Sequence, residues 1–174
     1  KADGIGLHTR SVLIHHSKDR DSQGNGVLMR VIPFGLQLIE DGYNFEDAVY
    51  LMNEDSSLTH QNETIYMANR LSLDLALYGI EVLNKDTYKD LLKRLHRGYS
   101  AWVIYTLYIV IKTLKQNYTF LEGFKHIVSH GGDTDTNCAI YGAIKGYKED
   151  ISSAINLNDF LSKEIQHSIL NIQT

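Results

Sequence analysis

What most limits the fold of this chain is how little interrupts its helices. Its 174 residues include one proline, Pro33, and its apolar residues recur at helical spacing along most of the length. β-Branched residues rarely alternate with polar ones over a strand's length, so an all-α fold is expected. Gly26 to Glu40 carries Leu28, Val31, Ile32, Leu36 and Ile39 on one face. Pro33 lies inside that stretch and is expected to kink the helix or divide it, because proline removes a backbone hydrogen bond. Asn44 with Asp47 reads as an N-cap pair opening a helix that carries Phe45, Val49 and Met52 on one side. Helices are also expected over Asn62 to Tyr78, over Thr87 to His96, and over residues 100–116, the last apolar on most sides and so buried. Thr119 with Glu122 matches a capping box whose helix stops before Gly131-Gly132. Another runs from near Asp135 to Tyr147, and a final amphipathic helix covers Asp159 to Ile172. Residues 1–23 read as loop, with a short helix over Arg10 to His16.

These elements read as a single compact multi-helix domain over residues 1–174, a length that suits one core rather than two. The net charge of −4 gives no basic field to draw the chain onto nucleic acid or an anionic membrane. The longest apolar stretch, Ala101 to Ile111, is about half of the roughly 20 residues a membrane-spanning helix needs, so no membrane partner is expected. One cysteine cannot form an internal disulfide, and a cytoplasmic setting is the default. The chain opens on Lys1 rather than methionine, which suggests a fragment.

The segment richest in chemistry is Gly131-Gly132-Asp133-Thr134-Asp135-Thr136. Two glycines let the backbone turn sharply and leave room beside it. Asp133, Asp135 and Thr136 then offer hard oxygen donors within four residues. Magnesium takes such oxygens, often one or two carboxylates with waters or substrate oxygens completing the shell. The same residue types also serve as plain helix N-caps, and spacing alone leaves both readings open. The following helix has Ala139, Gly142, Ala143 and Gly146 on one nearly bare face, where another helix can approach closely.

Three segments in order carry a family resemblance. Gly131 to Ala143 is similar to the C-terminal signature of ADP-ribosylglycohydrolases. Ser22-Gln23-Gly24-Asn25-Gly26-Val27-Leu28-Met29-Arg30 resembles their Ser-x-Gly-Asn-Gly-x-x-Met-Arg motif, and Leu58-Thr59-His60 their Leu-Thr-His motif. The resemblance implies a magnesium-dependent hydrolase that cleaves the N- or O-glycosidic bond between ADP-ribose and an acceptor on a protein or small molecule. Asp133, Asp135 and Thr136 would be ligands of a two-magnesium centre. Gly24, Asn25 and Gly26 would contact the diphosphate or adjoining ribose, Ser22 would add a hydroxyl, and His60 would hydrogen-bond near the substrate. A glycine-rich turn opening a helix suits an anion physically, although a lone Gly-Asn-Gly is otherwise just a turn. Taken alone, His60 reads as a surface histidine before a helix.

One departure stands out. Members carry an N-terminal Thr-Asp-Asp motif with the remaining metal ligands and, where one is assigned, a catalytic acidic residue; this chain has none, and its catalytic residue is unknown. The expectation is therefore the C-terminal portion of such an enzyme, with an incomplete metal centre. The alternative is an inactive relative acting as an ADP-ribose-binding or structural helical module. Trp102, Tyr105 and Tyr108 are expected in the core rather than as an adenine shelf. Arg30 is assigned to an ion pair holding the first long helix, and Cys138 to a packed thiol rather than a nucleophile.

Overall fold

The computed structural model describes residues 7–15, 22–96 and 98–149. They form eight α-helices: α1 Leu7–His15, α2 Gly26–Glu40, α3 Phe45–Ser57, α4 Glu63–Tyr78, α5 Lys89–Lys93, α6 Val103–Leu114, α7 Phe120–His130 and α8 Thr134–Gly146. The only backbone pairing of strand type among them is an isolated bridge between Gly24 and Trp102. None of the described helices is long and apolar enough to cross a membrane. The expected helix over Asp159 to Ile172 lies outside the described residues.

α2 is the central helix. It buries Val27, Leu28, Val31, Ile32, Leu36 and Leu38, and packs against α3, α4 and α8. Pro33 does not divide it: the helix runs through to Glu40. Pro33 lies on the exposed side, as does Met29, whose carbonyl it cannot bond, so water can serve that carbonyl. α3 comes close because position 35 lacks a side chain, and a Cβ there would lie 2.3 Å from Met52 Sδ.

The caps expected at Asn44 and Thr119 form, and Asn62 adds a third. Asn44 accepts a hydrogen bond from the Asp47 N–H at the head of α3, and Asn62 one from the Thr64 N–H at the head of α4. Thr119 and Glu122 form both halves of a capping box at the head of α7. Two expected helices were drawn too long. Between Tyr78 and α5 the chain makes short 3-10 turns at Ile80–Asn84 and Asp86–Tyr88, so α5 starts at Lys89. There Asp74, buried on α4, takes hydrogen bonds from Tyr88 and Lys85, and this holds the turns in place. α6 starts at Val103, not residue 100, because residues 101–103 pair with the chain around Gly24 instead.

α7 and α8 pack face to face through glycine. Gly142 and Gly146 receive Phe124 and Phe120 of α7, although Ala139 on the same expected face is exposed. In return, Gly123 makes room for Tyr141. Gly123→Ala would set a Cβ 2.0 Å from the Tyr141 hydroxyl and 2.3 Å from its ring, and that ring is fully buried. Overpacking of this kind costs about 1–3 kcal/mol, against about 1 kcal/mol gained by alanine over glycine in a helix. The overlap favours the upper end, so Gly123→Ala should lose about 2 kcal/mol in urea unfolding. An unchanged midpoint would show that this contact does not set the α7–α8 spacing.

Candidate functional site

The Gly-Asn-Gly turn is fixed from outside its own helix. The Val103 N–H donates to the Gln23 carbonyl at 2.8 Å, and the Asn25 N–H donates to the Ala101 carbonyl at 2.9 Å. Asn25 occupies the N-cap position of α2 but its side chain does not cap. Its buried Nδ2 donates instead to Asp133 Oδ2 at 2.8 Å and to Thr106 Oγ1 at 2.9 Å, with a longer contact of 3.5 Å to the Ser100 carbonyl. Thr106 Oγ1 passes its own hydrogen to Asn137 Oδ1 at 2.7 Å. The amino ends of α2, α6 and α8 are thereby drawn together. Three partial positive charges converge, a field that favours anions and ionised carboxylates.

Asp133 arrives there through a turn that needs its glycines. Gly131 and Gly132 have φ of 69° and 80°, which side chains rarely adopt. A Cβ on Gly132 would also lie 2.8 Å from Ser100 Cβ. Asp133 follows with φ −79° and ψ 67°, and the Thr134 N–H donates to the Gly132 carbonyl at 2.9 Å, an inverse γ-turn. Asp133 holds the N-cap position of α8 without a capping bond; its carboxylate faces Asn25. Asp135 is exposed. Its carboxyl is held below the usual range by a hydrogen bond with Asp133, and further by the N–H groups of Thr136 and of Asp135 itself. Thr136 is buried, as is Asn137, whose Nδ2 has no hydrogen-bond partner among the described residues. Two carboxylates and one hydroxyl suit magnesium in the manner that leaves several positions to water or ligand oxygens. Among the described residues no cluster of three or more His, Cys, Asp or Glu is arranged to hold a metal.

His60 completes the group, and it is not a surface residue. Only 3% of it is exposed. Its ring lies against Gly24, where a Cβ would be 3.0 Å from His60 Nε2 and 3.9 Å from Ser22 Oγ. Position 24 must therefore stay bare for His60 to keep its place. His60 Nδ1 is 2.8 Å from Thr59 Oγ1, which accepts from Arg30 Nη2 at 3.1 Å. Arg30 also pairs with Asp55 through Nε at 2.7 Å, tying α2 to α3 as expected of it. From α1, His8 Nε2 donates to the Thr59 carbonyl at 2.6 Å and its ring meets that of His60 edge-on at 4.8 Å.

Burial, then the nearby His8 and Arg30, lower the His60 pKa from 6.5 to about 4. A buried base with a depressed pKa destabilises the fold in acid. Above pH 6.5 the ring is neutral in both states and its contribution is fully present. As pH falls from 6.5 towards 4, the unfolded chain takes up a proton that the folded chain refuses, and stability drops. The loss is on the order of 3 kcal/mol and ends near the folded pKa. Urea unfolding across this range should show that fall, and His60→Gln should flatten it; equal slopes in both proteins would contradict a buried neutral ring.

The structure thus gathers Ser22, Gly24, Asn25, His60 and Asp133 at one place, with Asp135 and Thr136 on the first turn of α8. Gly26 is exposed at the first position of α2, and a Cβ there would meet only Met29 Cε at 3.8 Å. Trp102 corrects the sequence expectation. It is 47% exposed, its ring 5.1 Å from that of Tyr99, because the hydrogen bonds of Ala101 and Val103 to the chain around Gly24 hold position 102 at the surface. Tyr105 is buried and Tyr108 half-buried. A cleft of about 380 Å³ runs between His96, Tyr99, Trp102 and Tyr105, and Tyr105 also reaches Gly132. A second, of about 410 Å³, adjoins it on the far side of Trp102, with Gln23, Lys93 and Arg94 in its wall. Cys138 is half-buried, and burial raises its pKa, with the charge of Asp135 adding to the rise; it is no thiolate. Sequence reasoning missed Thr106 and Asn137, and the sole signal for the former was a hydroxyl in the middle of an apolar helix.

Comparison with known proteins gives a family. The family profile described as ADP-ribosylglycohydrolase matches residues 1–153. A protein of Acanthamoeba polyphaga mimivirus, named as a putative ADP-ribosyl glycohydrolase, is 32% identical over 82 residues, covering 47% of this chain. The match spans 24% of that relative's length. No solved structure matches. With the profile covering all three motifs, the chain belongs to the ADP-ribosylglycohydrolase family.

Proposed function

We propose that this chain supplies the ADP-ribose-binding side of a magnesium-dependent hydrolase that cleaves the N- or O-glycosidic bond between ADP-ribose and an acceptor, a protein side chain or a small molecule. The observation that carries it is the hydrogen bond from Asn25 to Asp133, which joins the anion-suited turn to the acidic turn. In this reading the diphosphate or its ribose lies over Ser22, Gly24, Asn25 and Gly26, where helix amino ends face it. Asp133, Asp135 and Thr136 would hold magnesium, with ligand oxygens filling the remaining positions of its shell. The metal, when bound, would supply positive charge beside the ribose and orient a water. Asn25 keeps the Asp133 carboxylate turned towards that place. Trp102 and Tyr99 offer exposed ring faces for the adenine. A cytoplasmic setting fits a chain whose one cysteine is a protonated, half-buried thiol.

Thermal unfolding with ADP-ribose and magnesium tests the reading. Because a ligand at about a hundred times its Kd stabilises by about 2.7 kcal/mol, the melting temperature should rise, and more with both than with either alone. Asp135→Ala should abolish the magnesium-dependent part and leave the rest. No shift at millimolar concentrations would sink the proposal.

Trp102 is the sole tryptophan of the chain, so its fluorescence reports on this cleft without interference. ADP-ribose should change its intensity and ribose 5-phosphate should not. The same response to both would remove the adenine from the Trp102 face.

A further inference from the structure

We propose that Thr59 and Arg30 are positioning residues that fix the tautomer of His60, so that its Nε2–H is presented over Gly24 as a hydrogen-bond donor to a ligand oxygen. This rests on the functional reading only in placing a ligand there; the tautomer itself follows from hydrogen-bond counting. The Thr59 hydroxyl has one hydrogen and two lone pairs. Arg30 Nη2, 3.1 Å away, can only donate, so it takes one lone pair. The other neighbour is His60 Nδ1 at 2.8 Å. If Nδ1 carried the proton, the hydroxyl would accept twice and its own hydrogen would have no acceptor among the described residues. If Nδ1 is bare, the hydroxyl donates to it, both Thr59 and Nδ1 are satisfied, and the one group left over is Nε2–H. The proton then sits on Nε2.

The surroundings hold this arrangement rigid. Arg30 cannot swing away easily, since its Nε is bonded to the Asp55 carboxylate at 2.7 Å and its Nη2 also reaches the Asp55 carbonyl at 2.9 Å. The Thr59 backbone is pinned by His8 on its carbonyl, and the Thr59 N–H donates to the Ser56 carbonyl at 3.1 Å. The His60 N–H donates to the Ser56 carbonyl at 2.7 Å. His60 Nε2 itself has no hydrogen bond to any described residue and is not among the sealed unpartnered atoms, so it keeps contact with solvent beside Ser22 Oγ and Gly24. A side chain that donates there adds direction to the anion-favouring field of the helix ends without adding a charge.

Long-range 1H–15N correlation spectra of the ligand-free protein at pH 7 decide the point, with the His60 signals identified by their loss in His60→Gln. The expected pattern is a pyrrole-type Nε2 and a pyridine-type Nδ1. A proton on Nδ1 overturns the proposal. Thr59→Val should replace the single-tautomer pattern by an averaged one, and Thr59→Ser, which keeps the hydroxyl, should restore it. An unchanged pattern in Thr59→Val also overturns it. Should Thr59→Val not fold, Thr59→Ala, which likewise lacks the hydroxyl, serves in its place, and an unchanged single-tautomer pattern there refutes the proposal. With ligand, ADP-ribose should bind Thr59→Val about tenfold more weakly than Thr59→Ser; equal affinities would show that the donor does not face the ligand. Absence of ADP-ribose binding by the unsubstituted protein refutes the functional reading instead, and the ligand-free spectra still decide the tautomer.

Discussion

The arrangement of this molecule turns on the Asn25 amide. It is buried at the start of α2, yet it makes no bond to α2's own free N–H groups. Its Nδ2 reaches across to α8 at Asp133 and into α6 at Thr106, while its backbone N–H is taken by Ala101. A buried amide left without such partners costs about 1–3 kcal/mol, so the three helices are held to one arrangement rather than to a range of similar ones. The Asp133 carboxyl oxygen is the acceptor on the α8 side of this set. The network therefore does two things with one side chain. It sets the relative positions of three helix ends, and it turns a carboxylate away from capping and towards the open side of the site.

That arrangement must be supported from behind, and glycine supplies the support. α7 delivers the chain to the Gly131-Gly132 turn, and α7 is held on α8 by Tyr141 lying over Gly123 and Phe124 lying against Gly142. These aromatic contacts fix where α8 begins to well under a side chain's width. The two left-handed glycines then reverse the chain, and the inverse γ-turn at Asp133 sets the direction of its carboxylate. Loop 98–102 closes the other side, with Ser100 against Gly132 and Trp102 paired to Gly24. Both glycine-rich motifs therefore touch one loop that neither motif's sequence mentions.

Which parts of this were legible beforehand follows from the range of the interactions. Asn44, Asn62 and Thr119 cap their own helices through contacts two or three residues away, and their pattern is readable from the chain alone. Family motifs named Asp133, Asn25 and His60, but not that Asn25 and Asp133 touch across 108 positions. The start of α6 was misplaced because Ala101 and Trp102 are as apolar as the helix that follows; what removes them is a backbone pairing about 78 residues back in sequence. Trp102 was assigned to the core by its hydrophobicity, a preference that a constrained backbone overrides. His60 went the other way: nothing near it in sequence is apolar enough to signal burial, which comes from His8 and Gly24 closing over it.

The electrostatic balance of the site explains why its histidine is neutral and its cations stand back. Three helix amino ends already make the place favourable to anions. A protonated His60 would add a buried charge beside Arg30 and His8, and its depressed pKa shows that the fold rejects it. Arg30 is engaged with Asp55 and Thr59, so it contributes its charge at a distance. Lys93 and Arg94 belong to the cleft beyond Trp102, outside the polar network. What remains at the centre is a set of directed N–H groups from the backbone and Asn25, with the Asp133 carboxyl accepting from Asn25. Directed dipoles bind an anion without pairing off the carboxylates that a metal would need. A side chain at position 24 would displace the imidazole that lies over it, so the bare glycine and the neutral, buried ring are held as one arrangement.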